Sequence, residues 1–429
     1  MKAMFDIKYY SNFEKKFKVN YPKKDGATYS SPLNYSDDLS LTKQRWYRYK
    51  EGFSLGLIEN ILNEYSSKEI GGVILDPFVG SGTTIIGSNL FGKTGYGFEV
   101  NPFTAFLANL KIRSTTKEEI TAFRNDYEQI IFADLSNVKE YPLPPLSFAS
   151  KIFNDDVRII FMRYRTLISN FSEPSKSFLL LGWLSILEEI SNYRKAGNGL
   201  KIRKTKKKPV IDVKEQLLKK YREIESDLTE SPDNIDYKNI IFNDSSINMS
   251  NYLKDNSVEG AIFSPPYANC FDYTEIYKLE LWFGEFVKNR DELKKLRKIA
   301  LRSNLNSCAQ NYTHPTSLVD GFIEQMDETL WDERIPFMLR GYFDDMFTVL
   351  DQLFSKIQKG GFCCIVVGNS TYGGVVVPTD LILAEYASSI GFNVDKIEVD
   401  RFIIPSSQQY NRTKEYSKFI RESVVCLKK

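Results

Sequence analysis

The segment Ser264-Pro265-Pro266-Tyr267 combines residue types that suit chemistry on a planar base. It follows the apolar run 260–263, which the pattern predicts as a buried strand. Two prolines stop the hydrogen bonding of a strand and fix the backbone, and the first also restricts Ser264, so the local carbonyl groups point in one direction. A rigid set of acceptors followed by an aromatic ring suits a ring that carries an exocyclic amine. By itself the tetrapeptide also fits an ordinary turn at a strand end, so its meaning depends on the rest of the chain.

A second segment, 72–84, has the pattern of a short strand, an acidic residue, a glycine-rich bend and the start of a helix. Gly80 and Gly82 allow the backbone to approach a ligand closely, and Asp76 stands where a predicted strand ends, the usual side of ligand binding in open α/β sheets. Glu99 ends the next predicted strand, roughly twenty residues after the glycines. At that spacing a carboxylate can accept hydrogen bonds from both hydroxyls of a ribose. The segment therefore predicts a nucleoside cofactor.

Together these segments resemble the S-adenosylmethionine-dependent amino-methyltransferases of DNA, which methylate cytosine N4 or adenine N6. Residues 76–84 resemble the cofactor motif of that family, 99–102 its ribose-binding segment, and 243–245 the segment that contacts the adenine of the cofactor. The segment 45–54 is more loosely similar to its N-terminal flanking motif. The resemblance implies S-adenosyl-L-methionine as the cofactor. It implies these cofactor-binding residues: Phe53, Asp76, Pro77, Phe78, Gly80, Gly82, Thr83, Glu99, Asn101 and Asp244.

The same resemblance makes Ser264, Pro265, Pro266 and Tyr267 the catalytic residues. The lone pair of an aromatic amine is delocalised into the ring, so the amine attacks poorly until acceptors hold its hydrogens out of conjugation. The Ser264 hydroxyl and the Pro265 carbonyl would accept those hydrogens, and Tyr267 would stack on a base flipped out of the duplex. In the family a serine at the first motif position points more often to cytosine N4, whereas Asp or Asn points to adenine N6. The chain also lacks the Pro-Cys pair that methylation of cytosine C5 requires.

Composition indicates an intracellular enzyme without a metal site. The 57 basic and 55 acidic residues give a net charge of only +2, so affinity for DNA must come from local charge. Five unpatterned cysteines and a single histidine, His314, argue against a zinc site and a disulfide framework, and we assign His314 no role. The N-terminus lacks the apolar core of a signal peptide, and the apolar run 178–190 is too short to span a bilayer. We expect a cytoplasmic, nucleoid-associated protein of a prokaryote with no membrane partner.

The strand pattern predicts an α/β fold. Predicted strands lie near 73–76, 95–100, 239–242, 260–264, 362–368, 394–399 and 423–427. Helices are predicted over 41–65 and 83–91, among others. Seven strands with helices between them indicate a doubly wound sheet. The resemblance implies that this is the Rossmann-like sheet of a class I methyltransferase, which ends in an antiparallel hairpin that 391–429 can supply.

Two stretches fall outside that sheet and divide the chain into predicted domains. Residues 1–111 hold the cofactor-binding half, 112–238 form a largely helical insertion, and 239–429 hold the catalytic half with a helical excursion at 285–340. We favour 112–238 as the target-recognition domain, with 285–340 contributing. The insertion ends in a basic run that predicts phosphate contacts with double-stranded DNA, although a solvated loop has the same composition. The basic residues are Arg194, Lys195, Lys201, Arg203, Lys204, Lys206, Lys207 and Lys208.

Three other functions compete with this interpretation. The segment 87–94 fits the P-loop pattern of a nucleoside triphosphatase, but its glycine end reads as helix and its Lys-Thr end leads into a strand, the reverse of a P-loop. An RNA amino-methyltransferase would use similar chemistry, although no RNA-binding module is recognisable. A binding module without catalysis is the least favoured, because both halves of the site are intact. A cognate restriction endonuclease would be a natural partner of the DNA enzyme.

Overall fold

The computed structural model describes residues 5–23, 37–50, 52–196, 199–203, 212–230, 237–307, 310–326, 330–404 and 407–429. Its helices are α1 Ile7–Glu14, α2 Leu55–Tyr65, α3 Thr83–Leu90, α4 Pro102–Ile112, α5 Lys117–Ile131, α6 Asp155–Ile168, α7 Ser175–Ser185, α8 Leu187–Ile190, α9 Val213–Glu230, α10 Tyr273–Ile276, α11 Lys278–Phe283, α12 Arg290–Ile299, α13 Ser317–Ile323, α14 Ile335–Lys356, α15 Thr379–Ser389 and α16 Ser407–Thr413. Its strands are β1 Val19–Asn20, β2 Val73–Asp76, β3 Thr94–Phe98, β4 Tyr193–Ala196, β5 Gly199–Ile202, β6 Ile240–Phe242, β7 Val258–Phe263, β8 Ile357–Gly368, β9 Ser370–Tyr372, β10 Val375–Val377, β11 Asn393–Phe402 and β12 Arg421–Lys428.

The central sheet has the strand order β1-β11-β12-β8-β7-β2-β3-β6. Strands β6, β3, β2, β7 and β8 run parallel, and β12 and β11 follow as an antiparallel pair. The predicted α/β fold is therefore confirmed, with each predicted strand present in this sheet. The sequence missed β1, a two-residue strand that pairs with β11 and adds an eighth member at the edge.

Apolar helices cover both faces of this sheet. All six residues of β7 are buried, as expected for a central parallel strand covered on both sides. The long helix α14 contributes Phe347 and Leu350 to the core on one face, while α2 contributes Leu57 and Ile61 to a separate cluster on the other. These two layers hold the carboxyl ends of β2 and β7 in fixed positions.

The strand order reverses between β2 and β7. From β2 the chain proceeds through β3 to β6 on one side, whereas β7 returns to pair with β2 and is followed by β8 on the other side. The register at this junction pairs Ile74 with Gly260 and Leu75 with Ala261. Such a reversal leaves a crevice outside the carboxyl ends of the two strands, where open α/β sheets bind their ligands.

Helices α5, α6, α7 and α9 form a second layer beside the sheet, with the β4–β5 hairpin at its border. Their apolar side chains, among them Phe161, Trp183 and Tyr221, form a core that continues onto α4 and α11. Among the residues that the structure describes, no helix is both long enough and apolar enough to cross a membrane.

The helix predicted over 41–65 is wrong in its first half. Only α2, which begins at Leu55, is α-helical, and a short 3-10 helix covers Gln44–Trp46. The Ser54 hydroxyl accepts a hydrogen bond from the Leu57 amide at 3.3 Å and so caps α2 at its first residue. Upstream, the Trp46 indole donates to Asp227 at 2.8 Å. This contact with the insertion fixes a non-helical path that helical periodicity does not reveal.

Candidate active site

A cavity of about 510 Å³ opens at the crevice between β2 and β7. Its volume lies within the range of sites for small molecules and cofactors. Both predicted halves of the site line it, because the parallel strands β2, β3, β6 and β7 end at the same edge of the sheet. The predicted residues that line it are Phe53, Asp76, Pro77, Phe78, Gly80, Thr83, Glu99, Asn101, Asp244, Ser264, Pro265, Pro266 and Tyr267. Gly82 does not line it but stands at the N-cap of α3.

The glycine-rich bend needs both of its glycines. Gly80 has φ +52° and Gly82 has φ +88°, a region that residues with a Cβ rarely adopt. A Cβ on Gly80 would also lie 2.9 Å from the Tyr49 ring. The helix that follows, α3, is tied to β7, because the Thr84 hydroxyl donates to the Ile262 carbonyl at 3.2 Å. The bend and β7 are therefore held at a fixed separation.

Two acidic side chains on the cavity wall are oriented by backbone amides. Asp76 accepts from the Phe78 amide at 2.9 Å, and Glu99 accepts from the Gly80 amide at 2.9 Å and the Asn101 amide at 2.8 Å. Burial raises the pKa of each carboxyl to about 7, and the hydrogen bonds offset part of that effect. Each Glu99 oxygen keeps a further lone pair for a ligand, so the carboxylate can receive two hydroxyl groups.

Asp244 stands at the end of β6, beside Glu99. Its carboxylate accepts from the Ser245 amide at 2.7 Å, the Asn248 side chain at 3.0 Å and the Tyr252 hydroxyl at 2.7 Å. Burial raises the pKa of Asp244, but these three hydrogen bonds outweigh it, so the pKa lies below its usual value. A carboxylate that stays ionised at this position is suited to accept hydrogen bonds from a bound amine or hydroxyl.

The tetrapeptide 264–267, which is predicted to be catalytic, follows β7 and ends in a tyrosine that is anchored to β12. The Tyr267 hydroxyl donates to the Glu422 carboxylate at 3.1 Å, and the Tyr267 carbonyl accepts from the Asn269 amide at 2.8 Å. A Cβ on Gly368 would lie 2.9 Å from the Tyr267 ring, so the ring packs directly on the end of β8. The aromatic side chain therefore has one orientation in the cavity.

The cavity has unused polar groups that suit a nucleoside cofactor. The hydroxyls of Ser81, Thr83 and Ser246 are buried and lack a hydrogen-bond partner in the described structure, and all three residues line the cavity. Buried hydroxyls normally find a partner, since an unpaired one is destabilising. Together with the lone pairs of Glu99 and Asp244, they form a polar end that fits a ribose and a base.

Several residues that line the cavity were not predicted from the sequence as site residues. Tyr49 stacks on Tyr277, and both form a wall over the glycine-rich bend. Arg297 of α12 donates to Asp272 at 3.0 Å, and both residues line the cavity. Arg401 and Glu422 come from β11 and β12, and Arg48 stands exposed at the rim. Arg48 and Tyr49 lie in the segment 45–54, which is loosely similar to the family's flanking motif, and Arg297 lies in the excursion 285–340, but no motif covers Arg401 or Glu422.

The residues of the predicted basic run differ in location: some are on the surface, one is in the interior, and the rest lie outside the described residues. Arg194 and Lys201 are exposed on the β4–β5 hairpin, and Arg203 is partly exposed with one guanidinium nitrogen on the Glu188 carbonyl at 2.9 Å. Lys195 points the other way and is buried, 2.7 Å from the Glu280 carboxylate. This ion pair makes its ammonium unavailable to phosphate, so the prediction that Lys195 contacts DNA is wrong. The remaining predicted contacts, Lys204, Lys206, Lys207 and Lys208, lie outside the described residues.

The P-loop alternative does not correspond to the structure. Gly87 lies inside α3, and Thr94 begins β3, the reverse of the required order. Lys93 is buried at the amino ends of the strands, where it pairs with Glu259 at 2.8 Å. It is therefore at the opposite edge of the sheet from the cavity.

Comparisons with known proteins agree with this geometry. Residues 6–109, which include the glycine-rich bend and Glu99, match the family model of the N6/N4 type described as DNA methylase. Over 421 residues the chain is 29% identical to the type II methyltransferase M.BsoBI of Geobacillus stearothermophilus, covering 85% of this chain and 81% of that protein. It is 27% identical over 400 residues to M.AvaI of Nostoc sp., covering 86% and 82%, and 23% identical over 384 residues to M.MvaI of Kocuria varians, covering 82% of each; both are also named type II methyltransferases.

Proposed function

We propose that this chain, which belongs to the N6/N4 family of DNA methylases, transfers a methyl group from S-adenosylmethionine to cytosine N4 of a base flipped out of duplex DNA. It is a DNA methyltransferase of the type II, restriction–modification kind, and the atom that it methylates is the finer part of the proposal. One observation carries it: Asp76, Glu99 and Ser264, from separate parts of the sequence, line a single cavity.

The residues that would hold the cofactor follow from the shape and polarity of the cavity. Glu99 would accept the ribose hydroxyls, Asp244 would face the adenine end, and the hydroxyls of Ser81 and Thr83 would complete the polar lining. Bound there, S-adenosylmethionine supplies an electrophilic methyl group attached to a sulfonium. The chain itself contributes position and fixed dipoles, which are the principal sources of rate in group transfer.

The tetrapeptide would prepare the target amine. The Ser264 hydroxyl and the Pro265 carbonyl accept its two hydrogens, and this draws the nitrogen lone pair out of conjugation with the ring. Tyr267, held by Glu422, gives the flipped base an aromatic surface of fixed orientation. No covalent bond between enzyme and base is required, because the amine is itself the nucleophile.

The β4–β5 hairpin is the part of the described insertion best suited to DNA. Arg194 and Lys201 lie directly opposite each other in its register, so their side chains share one face. Like charges in such a pair repel and destabilise a hairpin, whereas a phosphate between them would relieve that repulsion. Replacing both by alanine should weaken binding to duplex DNA and reduce its salt dependence by about two charges. An unchanged salt slope would exclude the hairpin from the interface.

The target atom is tested by expression in a host without DNA modification, followed by sequencing of modified bases in its genomic DNA. We expect N4-methylcytosine at one short sequence and none in a host that expresses Ser264→Ala. N6-methyladenine at such a site would refute the cytosine assignment and leave the amino-methyltransferase activity intact. Transfer of label from the methyl donor to RNA but not DNA would refute the substrate class. A cognate endonuclease that cuts the same sequence is the expected biological partner.

A further inference from the structure

We propose that the surplus proton of the methylated amine leaves through the Ser264 and Tyr267 hydroxyls to the Glu422 carboxylate, which Arg401 holds in place. This inference rests on the proposed function and adds a proton acceptor to it. The Tyr267 hydroxyl donates to Glu422 Oε1 at 3.1 Å, and Arg401 Nε donates to Glu422 Oε2. All four side chains line the same cavity.

Tyr267 is suited to relay a proton without giving it up permanently. Burial and the negative charge of Glu422 raise the pKa of its hydroxyl well above the usual value, while the nearby Ser264 side chain acts in the opposite direction. The hydroxyl therefore stays protonated, and it has one proton to donate to Glu422 and lone pairs to accept from Ser264. Ser264, Tyr267 and Glu422 line the same cavity, so their two hydroxyls and the carboxylate can form a chain that ends on Glu422.

The reaction needs an acceptor for the surplus proton of the methylated amine. When the nitrogen–methyl bond forms and the carbon–sulfur bond breaks, the electron pair of the broken bond stays on sulfur and the amine nitrogen becomes positively charged. Its surplus proton passes to Ser264 Oγ, the Ser264 proton passes to the Tyr267 oxygen, and the Tyr267 proton passes to Glu422 Oε1. Glu422 ends as a neutral acid and returns the proton to water beside Arg401, whose side chain is 49% exposed. The carboxylate also stabilises the positive charge as it develops on nitrogen.

The other carboxylates that line the cavity accept hydrogen bonds from other groups. Asp76 and Glu99 accept from backbone amides on the cofactor side. Asp244 accepts three hydrogen bonds at the end of β6. Asp272 accepts from Thr274 and forms an ion pair with Arg297 at 3.0 Å. Of the acidic residues that line the cavity in the described structure, Glu422 is the one that accepts a hydrogen bond from a side chain of the tetrapeptide.

The fold fixes this arrangement through the terminal hairpin. In the register of β11, β12 and β8, Glu422 pairs with Arg401 on one side and with Gly368 on the other. The Tyr267 ring packs against Gly368, where a Cβ would lie 2.9 Å away. Strand pairing thus places the acid, its cation and the tyrosine at one end of the hairpin.

The opposite end of the same hairpin provides a matched control. There the Asp395 carboxylate accepts from the Tyr65 hydroxyl at 2.7 Å and from the Lys428 ammonium at 3.0 Å. Asp395→Asn therefore removes the charge from a similar tyrosine–carboxylate–cation group that does not line the cavity. It should transfer methyl groups at the wild-type rate.

The test compares Glu422→Gln with this control in single-turnover methyl transfer to duplex DNA. Glutamine keeps an oxygen that can accept from Tyr267 but cannot take a proton at neutral pH, so the transfer rate should fall on the order of 100-fold, as expected for lost general-base catalysis. Calorimetric titration should show less than a threefold change in the dissociation constants for S-adenosylmethionine and for DNA. Wild-type transfer by Glu422→Gln would overturn the relay, as would a loss of cofactor affinity equal to the loss of rate.

A double variant separates a relay from a structural role. Tyr267→Phe keeps the ring but interrupts the route, so adding Glu422→Gln to it should slow transfer by less than about twofold. Multiplicative losses would refute transfer through Tyr267. A wild-type protein that binds the cofactor but methylates no nucleic acid would instead refute the proposed function. The two failures are thus distinguishable.

Discussion

Cofactor affinity should depend on pH through Glu99. The ribose hydroxyls would donate to its carboxylate, and a protonated carboxyl loses part of that accepting capacity. Burial raises the pKa of Glu99 to about 7, so the group is half protonated near neutral pH in the free enzyme. Affinity for S-adenosylmethionine should therefore rise as pH increases through about 7 and then reach a plateau.

The size of the effect follows from the pKa. Ionising Glu99 at pH 5 requires about two pKa units at 1.36 kcal/mol each, or about 2.7 kcal/mol. If only the ionised form accepts both hydroxyls, the dissociation constant should be up to about 100-fold higher at pH 5 than on the plateau. Burial also raises the pKa of Asp76 to about 7, which would steepen the wild-type dependence.

Isothermal titration calorimetry between pH 5 and pH 9 measures this dependence, with circular dichroism to verify folding at each pH. Glu99→Gln cannot titrate, so its profile should be flatter and retain only the contribution of Asp76, at a lower affinity throughout. Glu385→Gln alters a surface pair with Lys16, 2.6 Å apart, and should keep the wild-type profile. A wild-type dissociation constant that is constant from pH 5.5 to pH 8.5 would refute the role of Glu99.

Three further outcomes test the structure. Lys93→Met leaves Glu259 buried without its cation and should lower the free energy of unfolding by about 3–5 kcal/mol in urea titrations, while cofactor binding persists; lost binding with unchanged stability would contradict this. Gly368→Ala forces a Cβ against the Tyr267 ring and should slow methyl transfer at least tenfold, about 1.4 kcal/mol, with unchanged cofactor affinity. Hydrogen bonds, which outweigh burial, lower the pKa of Asp344 from 3.8 to about 2, so it contributes about 2 kcal/mol of stability that is present above pH 4 and lost as pH falls toward 2. Asp344→Asn should remove most of that acid dependence in thermal melts, and an unchanged profile would exclude it as the source.

Local backbone geometry explains what the sequence predicted. The glycines of the bend, the acidic residues at strand ends and the double proline affect the backbone only within a few residues of their own positions. Their spacing in the sequence therefore predicts where they lie in the fold. This is why the resemblance to the amino-methyltransferases of DNA, now confirmed, appeared from a few short segments. The parallel sheet then brings the segments together, because its strands all end at one edge.

Pairings between distant segments explain what the sequence missed. Arg401 and Glu422 reach the cavity through the register of an antiparallel hairpin, which composition does not encode. The error over Lys195 has a simpler cause: side chains alternate across a strand, so a run of charges on β4 divides between solvent and interior. Trp46 departs from the predicted helix because Asp227, far along the chain, accepts its indole hydrogen.

The exposed surface of the insertion can vary without disturbing the cavity, because the strands before and after the insertion pair directly with each other. The chain leaves after α4 and returns as β6, which pairs with β3 as though the two strands were consecutive: Phe98 stands opposite Phe242, and the Glu99 amide donates to the Phe242 carbonyl at 3.0 Å. The apolar core of the insertion continues onto α4, α11 and two residues of the cavity wall, Tyr49 and Tyr277, so the part of the insertion that can vary freely is its exposed surface. A further link to the site is the buried Lys195–Glu280 pair, which lies against Tyr277. The exposed surface of the insertion, which we propose contacts DNA, can thus change around a constant site, provided that the shared core and this ion pair are kept.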